Sequence, residues 1–133
     1  MKFVSILIMS VLSISFYGQT AKEYDANGDA KFMSGDYKGA IQEYSNFIKL
    51  RPKVAAVYEK RGEAKRELKE YKDAIEDYSK AIELNQDPYG FAYYLRGNAK
   101  QKLGDEAGAC ADWNKALGLG DKNSEKMISK YCK

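Results

Sequence analysis

The chain has 133 residues, of which 22 are basic, 19 acidic and none histidine. This length suits one small domain. The missing histidine removes the commonest general acid/base and the commonest metal ligand. The net charge of +3 is spread over alternating signs, a solvated surface rather than the clustered basic face that nucleic acid requires.

Residues 1–17 read MKFVSILIMSVLSISFY, with Lys2 ahead of a largely apolar run from Phe3 to Phe16 and the polar GQTAKEYD after it. The run falls short of the roughly 20 residues that span a bilayer. Its layout is that of a secretory signal peptide. Residues 1–19 are expected to be cleaved on export to a periplasmic or extracellular location, with membrane contact only through this segment. An uncleaved anchor or a helix of the fold is the alternative.

From about Thr20 onward one theme is played three times. Gly28 and Gly62 stand 34 residues apart, as do Ala40 and Ala74, Tyr44 and Tyr78, and Leu50 and Leu84. The next interval is 35: Gly62 to Gly97, Ala74 to Ala109, Tyr78 to Trp113, Ala81 to Ala116. The extra residue falls between Asn85 and Gly90, in a turn where insertion costs little. Each unit predicts two helices. In the first, an aromatic precedes a glycine by four: Tyr24 and Gly28, Tyr58 and Gly62, Tyr93 and Gly97. Glycine in a helix costs ~1 kcal/mol against alanine, so three at one phase imply a helix approach too close for a Cβ. The second helix is clearest in Tyr71–Leu84, where Tyr71, Ala74, Ile75, Tyr78, Ala81 and Ile82 share one face. The tail, Asn123 to Lys133, carries an apolar stripe of Met127, Ile128 and Tyr131, with Ser124 or Asn123 as candidate cap.

A 34-residue period with this helix–turn–helix grammar resembles the tetratricopeptide repeat. Repeat two carries Tyr58, Gly62, Tyr71, Ala74, Tyr78 and Ala81. Repeat one departs with Phe47 where a small Ala belongs, and repeat three with Glu106 where Tyr belongs. The resemblance implies an all-α fold, an α-solenoid of antiparallel helix pairs wound as a right-handed superhelix. Residues 20–133 are expected to form it, with repeats at about 21–54, 55–89 and 90–123. A helix at about 124–133 is expected to cover the last apolar face. Gly28, Ala40, Gly62, Ala74, Ala81, Gly97, Ala109 and Ala116 are the packing positions.

The family lines its concave face with the first helix of each repeat. The matching residues include Asp29, Phe32 and Met33; then Glu59, Glu63 and Arg66; then Phe91, Tyr94, Asn98 and Gln101. Their aromatics and methionine are of the type that anchors a partner, and the acidic centre suits a peptide with basic residues. The alternative is that Phe32 and Met33 pack under the turn while the carboxylates form a solvated stripe. A carboxylate clamp of the kind some family members carry is not expected: Asp25, Asp29, Phe91 and Leu95 occupy its positions. Cys110 and Cys132 lie where two antiparallel helices would bring them together, a disulfide candidate in an exported protein; two independent thiols are the alternative.

The functional expectation is a non-catalytic module, without cofactor, that binds a protein or peptide segment in its groove. The alternative is a structural protein that self-assembles through exposed solenoid ends. The scaffold uses the whole mature chain, and there is no Gly-rich phosphate loop or metal-ligand spacing, so an enzyme is not expected.

Overall fold

The computed structural model describes residues 20–133; the expected signal segment, residues 1–19, lies outside them. The chain divides between Pro52 and Lys53 into two compact units. Among the described residues the regular structure is helical, with no strand.

The first unit holds α1 (20–33) and α2 (Tyr37–Leu50). The turn between them is built by Gly35, at φ +83°, and Asp36. A left-handed residue at this point suits glycine because it has no Cβ to clash. The Asp36 carboxylate then accepts the Gly39 N–H at 2.9 Å and caps α2. Ala40, Tyr44 and Phe47 form the buried stripe of α2. Gly28 of α1 lies flat against the Tyr44 ring, where a Cβ would fall 2.5 Å from a ring carbon.

The second unit holds α3 (Ala55–Glu67), α4 (Tyr71–Leu84), α5 (Phe91–Lys102), α6 (Glu106–Leu119) and α7 (Asn123–Tyr131). Each helix packs on the next in chain order. The close approaches repeat: Gly62 meets the Tyr78 ring and Gly97 the Trp113 ring. Between them Ala74, Tyr78, Leu95 and Ala99 make one buried cluster that joins α4 to α5. The α5–α6 turn repeats the first, with Gly104 at φ +83° and the Asp105 carboxylate accepting from the Gly108 N–H at 3.0 Å. The α3–α4 turn lacks both devices. Lys69 takes the left-handed conformation at φ 62°, and Glu70 makes no side-chain cap.

The segment between α4 and α5 does more than absorb an inserted residue. The Gln86 amide donates to the Lys53 carbonyl at 2.8 Å and accepts from the Ala55 N–H at 2.8 Å, tying the end of α4 to the start of α3. Asp87 accepts from the Tyr89 and Ala92 N–H groups at 2.9 and 3.1 Å, so it caps the entry to α5. Both groups satisfy helix-start donors that otherwise lack partners.

The last helix corrects one detail of the sequence reading. Neither Ser124 nor Asn123 caps it. Asp121 does, accepting from the Ser124 N–H at 3.0 Å, the Ser124 hydroxyl at 2.6 Å and the Asn123 amide at 3.1 Å. An aspartate has two acceptor oxygens for three donors. A fully buried serine hydroxyl needs a partner of its own and donates instead of capping. Tyr131 of α7 lies over Trp113 of α6 at 5.7 Å between ring centroids.

Candidate peptide-binding face

The residues expected to line a groove fall on three helices: Asp29, Phe32 and Met33 on α1, Glu59, Glu63 and Arg66 on α3, and Phe91, Tyr94, Asn98 and Gln101 on α5. The acidic centre is not a bare stripe. Each residue that follows a close-approach glycine holds the polar atom of the aromatic behind it. Asp29 accepts from the Tyr44 hydroxyl at 2.7 Å, Glu63 accepts from the Tyr78 hydroxyl, and Asn98 accepts from the Trp113 indole N–H at 3.0 Å. A buried phenol or indole needs such an acceptor. Burial, with the carboxylate next to it, pushes the Tyr44 and Tyr78 hydroxyls far above the ordinary tyrosine range. Arg66 binds both oxygens of Glu63, at 3.1 and 2.9 Å, and reaches Glu67 at 2.7 Å. Asp29, Glu63 and Asn98 are therefore engaged within their own helix pairs.

A second ladder was missed from the sequence. Asp77 of α4 is 4% exposed and faces Arg61 at 2.7 and 2.9 Å and Lys65 at 2.9 Å, both on α3. Asp112 of α6 is 4% exposed and faces Arg96 at 2.8 Å and Lys100 at 3.0 Å, both on α5. In the first unit Lys31 reaches Glu43 at 2.8 Å. The signal was present: Lys31, Lys65 and Lys100 keep the 34 and 35 residue spacing, as do Glu43, Asp77 and Asp112. Arg96 also donates to the Ser79 hydroxyl at 3.1 Å, so it touches α4 as well as α6.

Two features of the second unit stand outside these ladders, an aromatic pair on α5 and a carboxylate on α3. Phe91 and Tyr94 stack at 6.0 Å, and Phe91 is 43% exposed. Tyr94 also packs on the α4–α5 cluster. Tyr89, just ahead of α5, is exposed. Glu59 is half-buried and has no hydrogen-bond or ion-pair partner among the described residues. Burial first, then the charges of Asp87 and Glu63, push its carboxyl up to about 7. Gln101 is half-buried further along α5. On the first unit, Phe32 packs edge-on against Tyr37 at 5.2 Å while Met33 stands almost fully exposed. Packing under the turn thus describes Phe32 and not Met33.

The Glu59 carboxyl has a measurable consequence. Its folded-state value near 7 lies above its ordinary value near 4.5. The folded chain binds that proton more tightly, so the group costs little below pH 4.5 and its full penalty above pH 7. Glu59→Gln removes the charge and keeps the shape. The variant is expected to melt several degrees above the parent at pH 8 and to match it near pH 4.5. Melting curves offset equally at both values would count against the buried carboxylate.

Cys110 of α6 and Cys132, just past α7, are joined as a disulfide. Ala40, Ala74, Ala81, Ala109 and Ala116 are all buried.

The helix pairs, the glycine–aromatic contacts and the covered last face are those of a helical-repeat binding domain. The sequence pattern of the tetratricopeptide repeat matches residues 55–88. The second such domain of Spaghetti (RPAP3), solved with the HSP90 peptide SRMEEVD, is 30% identical over 76% of this chain and 93% of that one, with a TM-score of 0.71. The second domain of human RPAP3, solved with the HSP70 peptide SGPTIEEVD, is 28% identical over 88% of this chain and 98% of its own, with a TM-score of 0.80. The domain of Arabidopsis OM64 is 26% identical over 86% and 95%, at 0.79. No curated protein matches the chain. The chain belongs to the tetratricopeptide repeat family, and its fold is the all-α array of antiparallel helix pairs found in those domains.

Proposed function

We propose that this chain is a non-catalytic interaction module whose α3–α5 face takes an extended peptide carrying apolar and basic residues. The observation that carries this reading is the exposed Phe91 ring stacked on the half-buried Tyr94, in the same unit as the unpartnered Glu59 carboxylate. A flat aromatic pair buries well under an apolar side chain. A carboxylate crowded by Asp87 and Glu63 gains from an incoming cation. Structural relatives are solved with peptides ending in EEVD. This chain places Leu95, 5% exposed, and Phe91 at two positions where such peptides are clamped in the family. Neither residue offers a cation to an acidic peptide, and the Glu59 carboxylate favours a basic one.

Titration with SRMEEVD and with a counterpart carrying Lys at its three acidic positions separates the possibilities. The basic peptide is expected to bind at least ~10-fold more tightly at low salt, with the gap narrowing as salt rises. Phe91→Ala should cost ~1–2 kcal/mol of that binding and leave helicity unchanged. Tyr94→Ala is a poorer probe, because its ring is shared with the core. Tighter binding of the acidic peptide, or an inert Phe91→Ala, would sink the reading.

We place the module outside the cytoplasm after loss of residues 1–19. The signal-like segment and the Cys110–Cys132 disulfide support this, since disulfides persist in oxidising compartments. The intact mass of protein recovered from an envelope fraction reads both features; a full-length reduced chain would overturn the placement.

A further inference from the structure

We propose that the Cys110–Cys132 disulfide is a redox latch that holds α7 closed over α6, so that a dithiol reductant releases the last helix while α3–α6 stay folded. Four observations carry this. The helix α7 has nine residues, well below the length at which an isolated helix is stable in water. Its stripe residues Met127, Ile128 and Tyr131 are each only half-buried, and its one fully buried residue is Ser124, at the end next to α6. The two ends of α7 are held by different means. Asp121 fixes the first turn through three hydrogen bonds. The far end is held by the disulfide and by the Tyr131 ring on Trp113. Cys132 and Cys110 are both partly exposed, so a thiolate can reach the bond.

The interior of the unit does not lean on α7. The Trp113 indole keeps its hydrogen bond to Asn98, and Asp112 keeps Arg96 and Lys100, all from α5. Opening would therefore uncover one side of Trp113 and the α6 surface around it, without dissolving the α5–α6 pair. The chemistry is thiol–disulfide exchange. A thiolate of the dithiol attacks one cysteine sulfur and the S–S bond breaks. The second thiol of the reductant then closes its own disulfide, leaving Cys110 and Cys132 as two thiols. Two electrons and two protons pass from the dithiol to the chain.

Hydrogen exchange of the mature chain, residues 20–133, with and without dithiothreitol tests the latch. Closing a loop of 22 residues in sequence separation is expected to be worth about 100-fold in protection of the α7 amides. On reduction, amides 126–131 should lose about that factor while those of α3–α5 hold theirs. The emission of Trp113, the one tryptophan, should shift to the red and return on reoxidation. The Cys110→Ala, Cys132→Ala chain should behave as the reduced parent without any reductant. Undiminished protection of α7 in the reduced chain would overturn the latch, and so would loss of protection throughout residues 53–133 in one step.

Discussion

Replacing Asp77 by Ala is expected to destabilise the chain by ~3 kcal/mol, a fall in melting temperature of roughly 12 °C at about 4 °C per kcal/mol for a domain of this size. The carboxylate is 4% exposed and answers two cations on α3, Arg61 at 2.7 Å and Lys65 at 2.9 Å. Removing it leaves two positive charges facing each other against the α4 backbone. Breaking a buried pair from one side costs about 3–5 kcal/mol, because the remaining charge has lost its partner as well as its water. Here the lower end applies. The Arg61 and Lys65 side chains keep 19% and 16% exposure and can swing part of the way to solvent. Glu83→Ala is the natural control. Its carboxylate is 72% exposed and meets Lys80 only at 3.5 Å, so its loss should cost under about 0.5 kcal/mol. If chemical denaturation finds the two variants equally stable, the buried ladder is not a determinant of the fold. Replacing Arg61, Lys65 and Asp77 together by apolar residues of similar volume should recover much of the loss.

Gly62→Ala and Gly118→Ala are expected to change stability in opposite directions, although both put the same methyl group into a helix. At Gly62 the new Cβ would lie 2.6 Å from one Tyr78 ring carbon and 2.9 Å from another. The ring is fully buried and its hydroxyl is anchored on Glu63, so it has nowhere to go. Helix propensity favours alanine by ~1 kcal/mol, but overpacking a tight contact costs ~1–3 kcal/mol, and pushing α3 off α4 also strains the Arg61–Asp77 pair. The net expectation is a loss of ~2 kcal/mol, the upper part of that range less part of the propensity gain. At Gly118, inside α6, nothing lies within 4 Å of the same atom. Only the propensity acts there, and the variant should gain ~0.5–1 kcal/mol. Urea midpoints of the two variants measure the contrast. A stabilising Gly62→Ala would mean that α3 and α4 can separate without penalty.

The helix pairs were readable because their signals repeat. Glycine, tyrosine and alanine recurring at 34 and 35 residues leave few architectures, and the turn glycines Gly35 and Gly104 mark where helices reverse. The polar chemistry was harder to read. On an amphipathic helix a charge is by default assigned to water, and the sequence reading singled out neither Asp77 nor Asp112. They are the buried ends of ladders whose cations sit 12 to 16 residues earlier, on another helix. Asp29, Glu63 and Asn98 were expected in a groove because they stand at the positions with which the family lines its concave face. That correspondence cannot show that the aromatic behind each one sends a polar atom through to meet it. Asp121 escaped notice because a cap is normally sought among the residues at the helix start, and here it stands before them.

The Gln86 side chain adds something that neither packing nor helix periodicity contains. One amide group grips the chain on both sides of residue 54, at Lys53 and at Ala55, from a position just past the end of α4. The α3–α4 hairpin is therefore a closed ring, with the Lys69–Glu70 turn at one end and a polar clasp at the other. A hairpin closed only at its turn unzips from its loose ends. This one must first let go of two hydrogen bonds at once, and a pull applied at Lys53 loads that clasp before it loads the helix interior.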